Sequence, residues 1–126
     1  MAIADLDHFK AVNDTHGLAT GDAVLRVAAE ALAGSIRNAD FVARLGGDEF
    51  GLLLWDLDAA SAPVVLERIR AAVPRSLADR GLPTVTASIS FVLDAESTTD
   101  AASLFARADA ALRKAKKQGR DRIALG

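Results

Sequence analysis

The sequence predicts a mixed α/β fold, and two periodicities carry that prediction. Apolar residues alternate on both sides of Gly46-Gly47-Asp48-Glu49 and again through Thr84–Leu93, the period of two expected of strands. Three longer stretches repeat apolar residues at three and four, the period of amphipathic helices. The resulting order is strand, helices, hairpin, helix, strand, helix, short strand.

Met1-Ala2-Ile3-Ala4 reads as the last half of a strand, with Asp5 projecting over its end and Leu6 turning into the core. Asp5 and Asp7 flank Leu6 and are expected to point differently. A short helix follows over His8–Asp14, built on Phe9 and Val12. Thr15–Gly21 is punctuated by glycine and reads as a loop, with Thr20 as N-cap of a long helix over Asp22–Ile36. Leu25, Ala28, Leu32 and Ile36 form its stripe, and Asp22 sits in the first turn where the dipole favours an acid. Arg37–Asp40 is a polar corner leading into the hairpin, whose strands carry Phe41, Ala43, Leu45 and Phe50, Leu52, Leu54 around a two-residue Gly-Gly turn.

After Trp55, Asp56–Ser61 is a loop and Pro63 suits the first turn of the next helix, striped by Val65, Leu66, Ile69, Ala72 and Val73. Pro74–Pro83 reads as a connection with a solvated charged face. Thr84–Leu93 is a central strand with Val85, Ala87, Ile89, Phe91 and Leu93 on the more deeply buried side. Thr98, Thr99 and Asp100 offer N-caps to a helix over Ala101–Lys117, striped by Leu104, Ala108, Ala111, Leu112 and Ala115. Gly119 stops it, and Ile123–Leu125 closes the chain as a short strand. The order defines an α/β (α+β) sandwich. Its core is a ferredoxin-like β-α-β-β-α-β unit with an extra helix and C-terminal strand, a mixed, mainly antiparallel sheet, and helices on one face.

Composition excludes several function classes. The 126 residues suit one domain, 1–126, and 51% hydrophobic residues suffice for its core. Five Phe and one Trp give no aromatic platform for single strands, and a net charge of −2 argues against a nucleic-acid partner. No cysteine means no disulfide and no thiolate chemistry, which agrees with a cytoplasmic location. The charged first fifteen residues contain no secretory h-region, and no apolar run reaches 18 residues, so no direct membrane contact is expected.

The chemistry concentrates in two acidic loops that this topology makes neighbours. Asp5 and Asp48, with Glu49 and the Leu6 carbonyl, form an all-oxygen donor set suited to Mg²⁺ carried with substrate phosphates. Two such ions about 3.5–4 Å apart clamp the attacking and leaving oxygens in nucleotidyl transfer. Gly46 and Gly47 leave the place of ligand approach free of side chains. Lys10, Lys116 and Arg120 are cations suited to a triphosphate, and equally to the ends of helices. Asn13 and Asp22 have the donors and acceptors to read a purine edge, or to serve as a helix-end cap and a first-turn acid.

Arg44 with Gly46-Gly47-Asp48-Glu49-Phe50 resembles the signature of the diguanylate cyclase (GGDEF) family. The same is true of Asp5-Leu6-Asp7-His8-Phe9-Lys10 followed by Asn13-Asp14, Gly17 and Gly21-Asp22, and of Ala108-Asp109-Ala110-Ala111-Leu112 with Ala115-Lys116 and Gly119-Arg120. These motifs span nearly the whole chain in the family's order. The resemblance implies a nucleotidyl cyclase/polymerase palm-type core and a bacterial signalling enzyme. Such an enzyme condenses two GTP into cyclic di-GMP with release of two pyrophosphates, as an antiparallel homodimer with Mg²⁺ or Mn²⁺.

By position, Asp5, Leu6, Asp48 and Glu49 would hold the ions, with Asp48, Glu49 and Lys10 in the catalytic set. Asn13 and Asp22 would recognise guanine, Gly46 and Gly47 would lie against the nucleotide, and Lys116 and Arg120 would take phosphates with Lys10. Arg37 and Asp40 match the Arg-x-x-Asp site at which product inhibits. A catalytically inactive domain binding GTP or cyclic di-GMP is the alternative. The sequence departs from the family in lacking the helix and Asp-x-Leu-Thr-x-Leu-x-Asn-Arg segment that usually precede the first strand, which suggests an N-terminally shortened member. It also has His16 before Gly17 rather than after it, Ser90 in place of a glycine and Arg113 in place of a tyrosine.

Overall fold

The computed structural model describes residues 1–94 and 99–126. Along the chain run β1 (Ala2–Leu6), α1 (Phe9–His16), α2 (Leu18–Gly34), β2 (Phe41–Gly46), β3 (Glu49–Leu53), α3 (Ser61–Asp79), β4 (Ala87–Phe91), α4 (Ala101–Lys117) and β5 (Ile123–Leu125). The strands form one five-stranded sheet in the order β2-β3-β1-β4-β5. Among the described residues β4 and β5 pair in parallel and the other neighbours are antiparallel. This is the β-α-β-β-α-β arrangement expected, extended by α4 and β5.

The first strand, β1, has five residues. All five residues of β1 are buried, and the strand occupies the middle of the sheet, paired with β3 on one side and β4 on the other. Ala2 and Ala4 are too small to announce in the sequence that the strand is buried on both sides. Leu6, not Asp5, is its last residue.

Helices cover both faces, where one was expected. Ala2, Ala4, Leu6, Phe50, Leu52, Ala87, Ile89 and Phe91 face a core built with α1, α2 and α3. Ile3 and Val92 face the other way, onto Ala108 and Leu112 of α4. Alternation explains both faces, since odd and even residues of β1 point to opposite sides. It also explains β4, whose polar members Ser88 and Ser90 are as buried as its apolar ones.

Several boundaries differ from those expected, α1 running over Phe9–His16 rather than His8–Asp14 and α2 ending at Gly34 rather than Ile36. α2 begins at Leu18, a turn earlier than Asp22, and Thr20 is inside it; the break from α1 is at Gly17, with φ of 88°, and no side chain caps it. Gly21 is compatible with this because α1 lies against it. α3 runs through Pro74 to Asp79, since burying Val73 and Leu77 offsets the lost hydrogen bond. It ends in a Schellman turn at Gly81, φ 66°, where Leu82 N–H bonds the Leu77 carbonyl at 3.0 Å. β4 is limited to Ala87–Phe91. α4 and β5 have the expected bounds, and Asp100 caps α4 by accepting from Ser103 N–H at 2.9 Å; Thr98 lies outside the described residues. No described helix is long and apolar enough to cross a membrane.

Candidate active site

The antiparallel ladder between β1 and β3 assembles the acidic centre. Asp5 stands opposite Glu49 in register, and the Leu6 N–H donates to the Asp48 carbonyl at 3.1 Å. The hairpin tip is therefore tied to the end of β1 by backbone, which brings Asp5, Asp48 and Glu49 into one neighbourhood. The turn itself is Gly47-Asp48 rather than Gly46-Gly47: Gly46 still pairs with Glu49, and an irregularity between Arg44 and Gly46 takes up the extra residue. Gly46 and Gly47 have φ of 155° and 50°, and a methyl group on either would meet nothing within 4 Å. Backbone freedom, not crowding, is what these glycines supply here. Arg44 steadies the tip by donating from Nε to the Gly47 carbonyl at 2.9 Å.

Asp5 is 5% exposed, and its carboxylate lies 2.7 Å from the Lys116 ammonium at the end of α4. Burial pushes its pKa up to about 6; the hydrogen bond from Lys116 works against this, and the nearby Asp48 and Glu49 add to it. Among the described residues no three acidic or imidazole side chains converge as a ready-made metal cage. The donor chemistry nevertheless fits Mg²⁺, which commonly takes one or two carboxylates and completes its shell with water and substrate phosphates. Asp5 with Asp48 or Glu49 supplies that partial set.

The other candidates divide into three groups. Asn13 packs on Gly21, the residue before Asp22: a Cβ there would lie 1.7 Å from the Asn13 Oδ1, so the amide rests directly on the α2 backbone. Asp22 lines a cleft of about 480 Å³ between α2 and the hairpin, together with Leu25, Arg26, Val42, Arg44 and Phe50. Lys116 reaches the acidic centre. Arg120 is not on the helix with it, since α4 ends at Lys117 and Arg120 occupies a left-handed position, φ 62°, after Gly119. Among the described residues it has no ion-pair partner. Lys10 is not brought to the centre: its ammonium is almost fully exposed, 3.8 Å from Asp14 one turn along α1.

Arg37 and Asp40 form a closed corner away from these groups. Asp40 accepts from the Arg37 N–H at 2.9 Å and the Trp55 N–H at 3.0 Å, while the Arg37 guanidinium donates to Asp40 and to the Trp55 carbonyl. Burial alone would raise the Asp40 pKa, but the Trp55 and Arg37 donors together hold it below the usual carboxylate value. The corner thus ties the approach to β2 to the exit of β3.

Sequence reasoning missed Asp7. Its carboxylate is 3% exposed and accepts from Thr86 Oγ1 and Ser88 Oγ, both at 2.7 Å, and from the Asp121 N–H at 3.0 Å. The available signal was the run Thr84, Thr86, Ser88, Ser90: hydroxyls on alternate positions of a central strand need buried partners. Arg26 and Arg44 of the cleft were also unassigned, being separated in sequence and joined only by the fold.

Comparison with known proteins identifies the family to which this sheet, with its acidic β1–β3 junction, belongs. The family model for the diguanylate cyclase GGDEF domain matches residues 1–122, and the chain belongs to that family. It is 41% identical over 127 residues to the probable diguanylate cyclase DgcT of Escherichia coli (strain K12), covering 98% of this chain and 28% of that protein. It is 39% identical over 124 residues to diguanylate cyclase DgcP of Pseudomonas aeruginosa, covering 98% of this chain and 18% of that one. The chain thus spans under a third of the length of these relatives. The fold superposes with a TM-score of 0.86 on the GGDEF domain of DgcB from Caulobacter crescentus in complex with c-di-GMP, at 32% identity, covering 98% of this chain and 75% of that one. It also matches diguanylate cyclase SiaD of Pseudomonas aeruginosa, solved with its activator SiaC, at a TM-score of 0.85 and 36% identity over 99% of this chain and 48% of that one.

Proposed function

We propose that this domain condenses two GTP molecules into cyclic di-GMP by metal-dependent nucleotidyl transfer. The observation that carries the reading is the placement of Asp5 opposite Glu49, with Asp48 tied to Leu6 and the Lys116 ammonium on the same carboxylate. Carboxylates and a cation meet there at the mouth of a sheet, beside a cleft that Asp22 lines. In each of the two transfers a ribose 3′-oxygen attacks an α-phosphorus. The bond to the β-phosphate oxygen breaks, pyrophosphate leaves with that electron pair, and the hydroxyl proton passes to a carboxylate or water near Glu49. Asp5, Asp48 and Glu49 would hold Mg²⁺ or Mn²⁺, which supplies charge neutralisation at the phosphates. Asn13 and Asp22 recognise guanine, Gly46 and Gly47 lie along the nucleotide, and Lys116 and Arg120 hold the phosphates. Lys10 joins them only after leaving Asp14. One subunit presents one GTP, so the working form is a homodimer.

A second reading, a regulatory domain that binds cyclic di-GMP without turnover, draws support from the ordered Arg37–Asp40 corner. The two are separated by following pyrophosphate release from GTP with Mg²⁺ and resolving the nucleotide products. The catalytic reading expects one pyrophosphate for each GTP consumed, two for each cyclic di-GMP formed, and a fall of at least about a hundredfold in Asp48→Ala. Product binding with no pyrophosphate release in the parent protein rejects it in favour of the regulatory one.

A further inference from the structure

We propose that Asp7 is a positioning residue for phosphate binding, acting through the backbone of the turn that carries Arg120. The inference rests on the reading of Arg120 as a phosphate ligand and deepens it by naming what holds that side chain in place.

Arg120 and Asp121 are consecutive non-glycine residues with φ of 62° and 47°. L-residues avoid this region because Cβ crowds the carbonyl, so two in succession persist only where the surroundings hold them. The holding contacts come from separate parts of the chain. The Arg120 N–H reaches back to the Ala115 carbonyl at 3.1 Å, and Arg122 Nε donates to the Arg120 carbonyl at 2.9 Å. The Arg70 guanidinium of α3 grips the Asp121 carboxylate.

Asp7 supplies the buried contact. Its Oδ2 accepts from the Asp121 N–H at 3.0 Å and from Thr86 Oγ1, while Oδ1 accepts from Ser88 Oγ. Its own N–H donates to the Thr86 carbonyl at 2.8 Å, so the carboxylate is anchored to the sheet before it reaches the turn. Asp7 therefore bolts the turn after α4 to the junction of β1 and β4. Asp5, two residues earlier, meets Lys116 from the same helix end. One short segment thus sets both cations: Asp5 touches Lys116 itself, and Asp7 fixes the backbone from which Arg120 extends.

A carboxylate suits this task better than a neutral group. It accepts three hydrogen bonds with two oxygens and donates none, and charged acceptors bind amide donors more strongly than amides do. Asp7→Asn keeps the shape and leaves one oxygen for the Asp121 amide, with the Ser88 hydroxyl free to reverse and accept from the new NH₂. The variant is therefore expected to fold with a weakened hold on the turn.

The test is a double-mutant cycle over Asp7→Asn and Arg120→Ala, titrated with inorganic tripolyphosphate and Mg²⁺ by calorimetry, with guanosine as the control ligand. Asp7→Asn is expected to weaken tripolyphosphate binding roughly fivefold, to leave guanosine binding unchanged, and to speed exchange of the Asp121 amide proton while amides of α2 keep their protection. In the Arg120→Ala background the same change should have no further effect on tripolyphosphate. A loss that persists undiminished in that background, or unchanged affinity despite faster Asp121 exchange, overturns the proposal. Arg120→Ala that binds tripolyphosphate as tightly as the parent overturns the phosphate reading itself, an outcome distinct from the other two.

Discussion

Asp5 is held in a state that favours binding over stability. Folding pushes its pKa up to about 6 from the ordinary 3.8 of an aspartate, with burial as the main cause. Between these values the folded protein binds more protons than the unfolded chain, so this group's contribution to stability falls as pH rises from 3.8 through 6. The cost is then fully present at neutral pH, offset in part by Lys116. Asp5→Asn removes it. The variant is expected to melt above the parent at pH 7.5, with the gap shrinking as pH drops through 6 and absent below 3.8, read by thermal melts across that range. On the proposed function GTP with Mg²⁺ should stabilise the parent, and the same variant should lose that stabilisation. A parent protein that melts higher than Asp5→Asn at pH 7.5 without nucleotide would contradict this account. Asp5 and Asp48 stood out in the sequence as separated acids. Lys116 as the partner of Asp5 did not, because that pair spans 111 positions and depends on α4 crossing the face of β1.

At the scale of elements, the junction of α1 and α2 links local structure to recognition. Glycine inside a helix ordinarily costs about 1 kcal/mol relative to alanine. Gly21 is kept free of a side chain by Asn13, whose Oδ1 occupies the place a methyl group would take. Gly21→Ala therefore opposes two effects: helix propensity gains about 1 kcal/mol, and the Asn13 amide must rotate away. The obstruction is the far end of one side chain, so the fold should tolerate it, with stability within about 1 kcal/mol of the parent in urea unfolding. On the proposed role of Asn13 in guanine recognition, affinity measured with guanosine or GTP is expected to drop about tenfold, because the amide is displaced from its place on Gly21. This element was the least legible in the sequence. Gly17 and Gly21 look alike as loop punctuation, and only the closeness of α1 distinguishes a helix-breaking glycine from a helix-packing one. Pro74 misled in the same way, since a buried Leu77 beyond it carried α3 onward. Where local signals agreed, as at Asp100 and Gly119 around α4, the boundaries were read correctly.

For the whole molecule, alternation and helical stripes conveyed the strand and helix order, which is enough to restrict the topology. They could not assign α4 to the opposite face of the sheet, because a stripe records that a face is buried and not what buries it. That placement shapes the site: α2 and the hairpin line the cleft at Asp22, while α4 delivers Lys116 from the other side of β1. The site so formed opens outward, with Gly46 and Gly47 exposed at the tip and Arg120 without an ion-pair partner among the described residues. On the proposed function one such half-site would hold one triphosphate against one set of acids, whereas joining two GTP molecules through two phosphodiester bonds needs a second nucleotide facing the first. If each subunit presents one GTP, the rate per subunit must depend on how many subunits are paired. Specific activity in pyrophosphate release should therefore rise in proportion to protein concentration in the dilute regime and level off once the dimer is populated. Sedimentation at the same concentrations should place the plateau where dimer replaces monomer. A specific activity independent of dilution, in solutions that sediment as monomer, would mean that a single subunit completes both transfers, and the homodimer would have to be abandoned.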